Sequence, residues 1–317
     1  MHPSASDTRD ALDADAIASP TASSRLAPVT RRAAVWLAAL ALAGCAGVVK
    51  PTSAPIAPVP VTTEINVMTS GGFAAAYDEL RPAYERLSGS VVKTAYGSSM
   101  GGAVDSIPSR MGRGEPVDVV ILARPALDAL VAQGKVVPGS QVDLVNSLIG
   151  MSVKKGAPRP DISTVEALKR TLLAAPSIAY SASASGTYYE TEMLKNLGLE
   201  AQVKPKSQRI LSERVATVVA RGDAALGLQQ VSELLPVAGA DFIGVLPPEV
   251  QRMTVFSAGI ATTARQPQAA KEMIAYFTSS AAVPVIVKSG LEPAKKPAPA
   301  MPATSAMPAT PAAMPAR

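Results

Sequence analysis

Short apolar runs alternate with stretches whose apolar residues recur at helical spacing through most of the chain. Ile65-Asn66-Val67-Met68 reads as a strand, closes on Thr69-Ser70-Gly71-Gly72 and gives way to a helical pattern. Residues 91–96 repeat this, ending on Gly97-Ser98-Ser99-Met100-Gly101-Gly102. Residues 117–122 form a buried strand, followed by a helix over 125–132 that stops at Gly134. Residues 148–153 are the next strand, and Ser163-Thr164-Val165-Glu166 is a capping box for a helix over 167–173. Ile178-Ala179-Tyr180 leads through a small-residue loop, 181–186, into a helix over 187–197 ended by Gly198. Ser212 is placed to cap a helix over 213–221, before strands at 225–228, 242–246 and 254–260. Helices over 267–277 and 281–288, with Gly290 as the stop, close the domain. Such alternation predicts an α/β fold with mainly parallel sheets, whose ligands lie beyond the carboxyl ends of the strands.

Three small-residue loops fall at those ends. Backbone N–H groups and small hydroxyls gather where a helix dipole is positive, so an anion can be held without a charged side chain. Glycine permits close backbone approach, and serine supplies a donor that turns to suit the ligand.

The ends of the chain read differently. Arg31-Arg32 and the short apolar stretch that follows look like a secretory signal, too short to span a bilayer. Twin arginines also suggest a Tat signal, although the residues after them match its apolar consensus poorly. The polar segment 2–28 is unusual before a signal and suggests a start near Val29. Leu42-Ala43-Gly44-Cys45 resembles a lipobox, which makes Cys45, the only cysteine, the expected lipidation site and residues 1–44 an extension plus signal peptide. Residues 45–62 are a proline-rich tether, and 294–317, with repeated Ala-Met-Pro-Ala, a disordered tail. Export to the periplasm with a lipid anchor follows from these features.

The net charge of +5 is scattered, and only 4% of residues are aromatic, which argues against a nucleic-acid binder and suits a small anionic ligand. His2, the only histidine, lies in the expected leader. Loss of the leader removes imidazole and free thiol, excluding Ser-His-Asp and Cys-His chemistry and the usual zinc sites. No metal and no cofactor are expected, and any catalysis falls to carboxylates, lysines, tyrosines or backbone.

The runs 65–72, Tyr96-Gly97-Ser98-Ser99, Arg113-Gly114-Glu115-Pro116-Val117-Asp118-Val119 and Ser185-Gly186-Thr187 resemble the periplasmic molybdate-binding proteins of ABC transporters in order and spacing. The resemblance covers about residues 63–293. It implies a two-lobed, type II periplasmic binding-protein fold with a ligand cleft, lobe 1 being 63–147 plus 252–293 and lobe 2 being 148–251. It also implies a monomer that delivers its ligand to an ABC permease.

In that family serine hydroxyls, backbone N–H groups and a tyrosine hold the oxyanion. Ser99 aligns with one serine, Ser185-Gly186 with a backbone loop and Ser212 with the fourth element. Gly72 stands where a serine is expected, with Ser70 nearby, and Gln230 stands in place of the tyrosine. Losing two hydroxyl donors costs roughly 1–3 kcal/mol each where lone pairs stay unpaired. The expected ligand is therefore a molybdate-like oxyanion or a small carboxylate held by Ser70, Gly71, Gly72, Ser98, Ser99, Ser185, Gly186, Ser212, Arg214 and Gln230. An aconitate-isomerase branch of the same superfamily is the alternative, since Met68-Thr69-Ser70-Gly71-Gly72 and Tyr96-Gly97-Ser98-Ser99-Met100 look closer to it. An isomerase needs a base and carboxylate anchors, for which Glu213, Arg214, Tyr188 and Arg110 are the candidates, with Arg124 a further possible fork.

Overall fold

The structure, a computed structural model, describes residues 62–294. Cys45, the signal stretch, the tether and the tail beyond Ala294 lie outside the described residues.

The chain starts in one lobe with β1 (Glu64–Ser70), α1 (Gly71–Ser88), β2 (Val91–Gly97), α2 (Ile107–Gly112), β3 (Val119–Ala123), α3 (Arg124–Ala132) and β4 (Val142–Ser147). Only Leu148 separates β4 from β5 (Ile149–Lys154), which opens the second lobe. There follow α4 (Val165–Ala174), β6 (Ile178–Ser181), α5 (Ala184–Tyr188), α6 (Leu194–Asn196), α7 (Glu200–Val203), β7 (Ser207–Ile210), α8 (Val215–Arg221), β8 (Leu226–Gln230), α9 (Val231–Leu234) and β9 (Ala240–Val245). The chain then returns through β10 (Thr254–Ile260), α10 (Pro267–Phe277), α11 (Val283–Lys288) and β11 (Glu292–Pro293).

Two sheets result, ordered β11-β4-β10-β3-β1-β2 and β7-β6-β8-β5-β9. They are mixed, whereas the alternation of elements predicts mainly parallel sheets. β1 runs parallel to β2 and β3, and β6 runs parallel to β7 and β8. The crossing strands β4, β5 and β10 pair antiparallel, because a segment that leaves one sheet to enter the other must enter against the direction of the βαβ units. The expected helix over 187–197 is present but broken by a π-turn at Tyr189–Met193.

Lobe 1 packs Phe73, Tyr77 and Leu80 of α1 against Phe256 of β10 and Phe277 of α10, with the Phe73 and Phe277 rings edge-on at 5.6 Å. Lobe 2 packs Leu168 and Leu172 of α4, Tyr189 and Leu194 around Met151 and Leu228. Asp118, buried just before β3, ties the returning chain to the sheet. Its carboxylate accepts from Asn66 N at 2.7 Å, Arg265 N at 2.6 Å and Gln266 N at 2.9 Å, fixing the start of α10. Gln251 clamps the crossing segments. Its side chain accepts from Ile149 N and donates to Ile149 O, both at 2.9 Å, as a neighbouring strand would.

Candidate functional site

The carboxyl ends of β1, β2, β6, β7 and β8 converge on a cleft of about 280 Å³, a size suited to a small metabolite. Lobe 1 contributes Gly71 and Ala74 from the first turns of α1, then Tyr96, Gly97, Ser98 and Asp105 from the end of β2 and its loop. Gly97 is required there, since a Cβ would lie 2.2 Å from Asp105 O. Lobe 2 contributes Ser181, Ala182 and Ser183 after β6, the run from Ile210 to Arg214 after β7, and Gln229 and Glu233. Ser212 Oγ donates to Asp105 Oδ1 across the mouth at 3.0 Å, and Ser232 Oγ donates to Gly72 O at 2.8 Å.

Glu233 is the chemically distinctive group. It is 5% exposed, on the short helix directly after β8, with Oε1 so close to Gly71 that a Cβ there would lie 2.0 Å away. Burial raises its carboxyl to about 7, against the opposing influence of Arg214 and of the hydrogen bond from Gln229 Nε2 at 2.8 Å. A carboxyl with that acidity can both take and return a proton near neutral pH. Arg214 is half-buried at the cleft wall and, among the described residues, makes no ion pair.

Of the residues singled out in the sequence, Gly71, Ser98, Ser212, Glu213 and Arg214 line this cleft. Glu213 is held by Arg221, at 2.7 and 3.0 Å, which lowers its pKa below the ordinary carboxylate value and makes it a poor base. Ser212 does not cap a helix; α8 starts at Val215 with Arg214 as its N-cap, because the Ser212 hydroxyl turns to Asp105.

The other singled-out residues sit elsewhere. Gly72 packs under the Phe256 ring, which a Cβ would meet at 2.0 Å. Ser70 is fully buried, and its hydroxyl has no partner among the described residues. Ser99 accepts from Ala123 N at 2.9 Å, Ser185 pairs with Ser181 at 3.1 Å, and Gly186 lies against Ser181 O. Gln230 donates to Thr254 at 2.8 Å beside the crossing segments. Tyr188 donates to Val250 O, with Arg252 over its ring. Arg110 pairs with Glu115, and Arg124 with Asp128 and Asp143.

Glu233 and Gln229 were not singled out in the sequence. One signal was present: Glu233 is a lone acid in the run Val231-Ser232-Glu233-Leu234-Leu235, immediately after a strand end.

Comparison with known proteins agrees with this architecture. The profile of a family described as bacterial extracellular solute-binding protein matches residues 65–292. The chain belongs to this family. An aconitate isomerase from a Pseudomonas species is 43% identical over 238 residues, 75% of this chain and 90% of that protein. The periplasmic molybdate-binding protein of Azotobacter vinelandii superposes with a TM-score of 0.59 at 20% identity, covering 72% of this chain and 98% of that one. The sulfate-binding protein SubI of Mycobacterium tuberculosis gives 0.55 at 18% identity, covering 74% and 88%. These solute-binding proteins share the two-lobed fold.

Proposed function

We propose that this solute-binding family member is an isomerase of small unsaturated polycarboxylates, with aconitate as its substrate. The observation that carries the reading is Glu233, a buried carboxyl raised to about 7 in a cleft that also presents the Arg214 guanidinium, which has no ion pair among the described residues. The 43% identity to an aconitate isomerase supports it. A protein that only sequesters anions gains nothing from a buried acid at its anion site, since the carboxylate repels the ligand.

The chemistry is an allylic proton shift. Arg214 holds a substrate carboxylate through its guanidinium fork. Glu233 takes a proton from the methylene carbon; that C–H bond breaks, and its electron pair spreads across the allylic system into the adjoining carboxylates. The first turn of α1 and Ser183 line the same space and offset the added charge. Glu233 returns the proton to the formerly vinylic carbon, so a new C–H bond forms and the double bond has moved by one carbon. The conformation in which the cleft holds the former single bond sets the geometry of the new double bond.

Incubating the protein with trans-aconitate and following cis-aconitate by NMR tests this. Turnover that disappears in Glu233→Gln supports the isomerase. Tight anion binding without turnover favours the second reading, a binding protein that serves an ABC permease, which family membership supports. Both readings include export to the periplasm and lipid attachment at Cys45, motivated by the lipobox-like Leu42-Ala43-Gly44-Cys45 and checked by mass spectrometry of the membrane fraction.

A further inference from the structure

We infer that Gln229 is a positioning residue for Glu233: its carboxamide holds Glu233 Oε1 as a hydrogen-bond acceptor and leaves Oε2 as the atom that takes and returns the proton. The inference rests on the isomerase reading and adds which oxygen does the work and what fixes it.

The amide orientation follows from its partners. Val215 N–H can only donate, and the Gln229 atom 2.8 Å from it must be the oxygen, Oε1. The Nε2 group is thereby turned to Glu233 Oε1, 2.8 Å away. An NH₂ group has no lone pair to offer, so that carboxylate oxygen is held as an acceptor. Glu233 Oε1 is also the atom crowded against the Gly71 backbone. A proton there would compete with both neighbours, and Oε2 has neither constraint.

The amide itself cannot turn. Gln229 is 2% exposed near the end of β8, where it pairs with Gly150 of β5. The charged and titratable groups facing the same cleft are Arg214 on the wall from lobe 2, Glu213 held by Arg221, and Asp105 and Tyr96 from lobe 1. Tyr96 is bonded to Asp78. None of these donates to Glu233, so Gln229 is its one hydrogen-bond donor among the described residues.

Two variants test the inference. Gln229→Met removes the donor at similar length, and Gln229→Glu keeps the shape while placing an acceptor against Glu233. In each, the Glu233 carboxyl is titrated by infrared spectroscopy, its band identified by loss in Glu233→Gln, and the pH profile of kcat/KM for aconitate is recorded. The infrared midpoint and the acid limb of the profile should rise together by roughly one pH unit, with KM little changed. A purely structural role would lower activity without moving either. An unmoved midpoint in a folded variant overturns the inference, and Gln229→Glu serves should Gln229→Met fail to fold. If the midpoint moves but the wild-type protein turns over neither aconitate, the placement of the proton stands and the isomerase reading falls. If turnover needs Glu233 and is indifferent to Gln229, the isomerase stands and the positioning role falls.

Discussion

Glu233 and Arg214 oppose one another, and burial decides the outcome: the guanidinium pulls the carboxyl down, burial pushes it up, and it settles near 7. An ionised base is required for proton abstraction, so turnover should fall as pH drops below about 7. Replacing the base by Gln should reduce kcat by roughly 10²–10⁴-fold without weakening ligand binding, since the carboxylate's repulsion is removed. Stability gives a separate check. The folded carboxyl titrates above its unfolded value of 4.5, so the folded state binds this proton more tightly. Its favourable contribution is full below about 4.5 and is lost as pH rises through 7, a difference on the order of 3 kcal/mol. Glu233→Gln should therefore gain Tm relative to wild type between pH 5 and pH 8, and a pH-independent gap would contradict the burial argument. At Arg214, Lys keeps the charge and loses the fork, so KM should rise about 10-fold, and more in Arg214→Ala. Arg214→Ala should also move the acid limb of the profile upward, because the group that lowers the Glu233 carboxyl is gone.

At the start of α1 two adjacent glycines have different tasks. Gly71 makes room for Glu233 and Gly72 for the Phe256 ring, each with 2.0 Å to a hypothetical Cβ. Gly72→Ala overpacks the lobe 1 core and should cost about 1–3 kcal/mol in urea unfolding. Gly71→Ala meets the end of a flexible side chain, so it should lose activity with a smaller stability change; equal losses of both in the two variants would contradict the division. The sequence shows why such tasks are hard to read. Strands with apolar runs, such as β1, β3 and β10, and a helix with the periodicity of α10, are visible from composition. β7 reads Ser-Gln-Arg-Ile and β4 Val-Asp-Leu-Val-Asn-Ser, polar enough to pass for loop, and only their sheet partners make them strands. The Gly71-Gly72 pair is recognisable as a strand-to-helix junction, but which glycine faces the cleft depends on β10, more than 180 residues later.

Lobe 1 is not continuous in sequence, since β10 and β11 return to its sheet after the whole of lobe 2, and periodicity carries no trace of that; the resemblance alone implied it. The two sheets are joined through Leu148 and through the segment between β9 and β10, with Gln251 clamping the junction at Ile149. Cross-lobe bonds from Ser212 to Asp105 and from Ser232 to Gly72 close the cleft at its mouth and base. Since the cleft draws on both lobes, a molecule in it adds contacts that neither lobe supplies alone. Trans-aconitate at 100 times its Kd should raise stability by about 2.7 kcal/mol. Hydrogen-exchange protection should rise in both sheets, including β1 and β2, although Arg214 and Glu233 belong to lobe 2. Gln251→Ala should weaken this coupling, because the Ile149 N–H loses its partner and the junction loosens at a cost of roughly 1–3 kcal/mol. The variant should still protect β6, β7 and β8 on binding, with less transfer to lobe 1. Protection confined to lobe 2 in the wild-type protein would mean that the ligand does not bridge the lobes, and that the Gly71 and Ser98 side of the cleft takes no part in holding it.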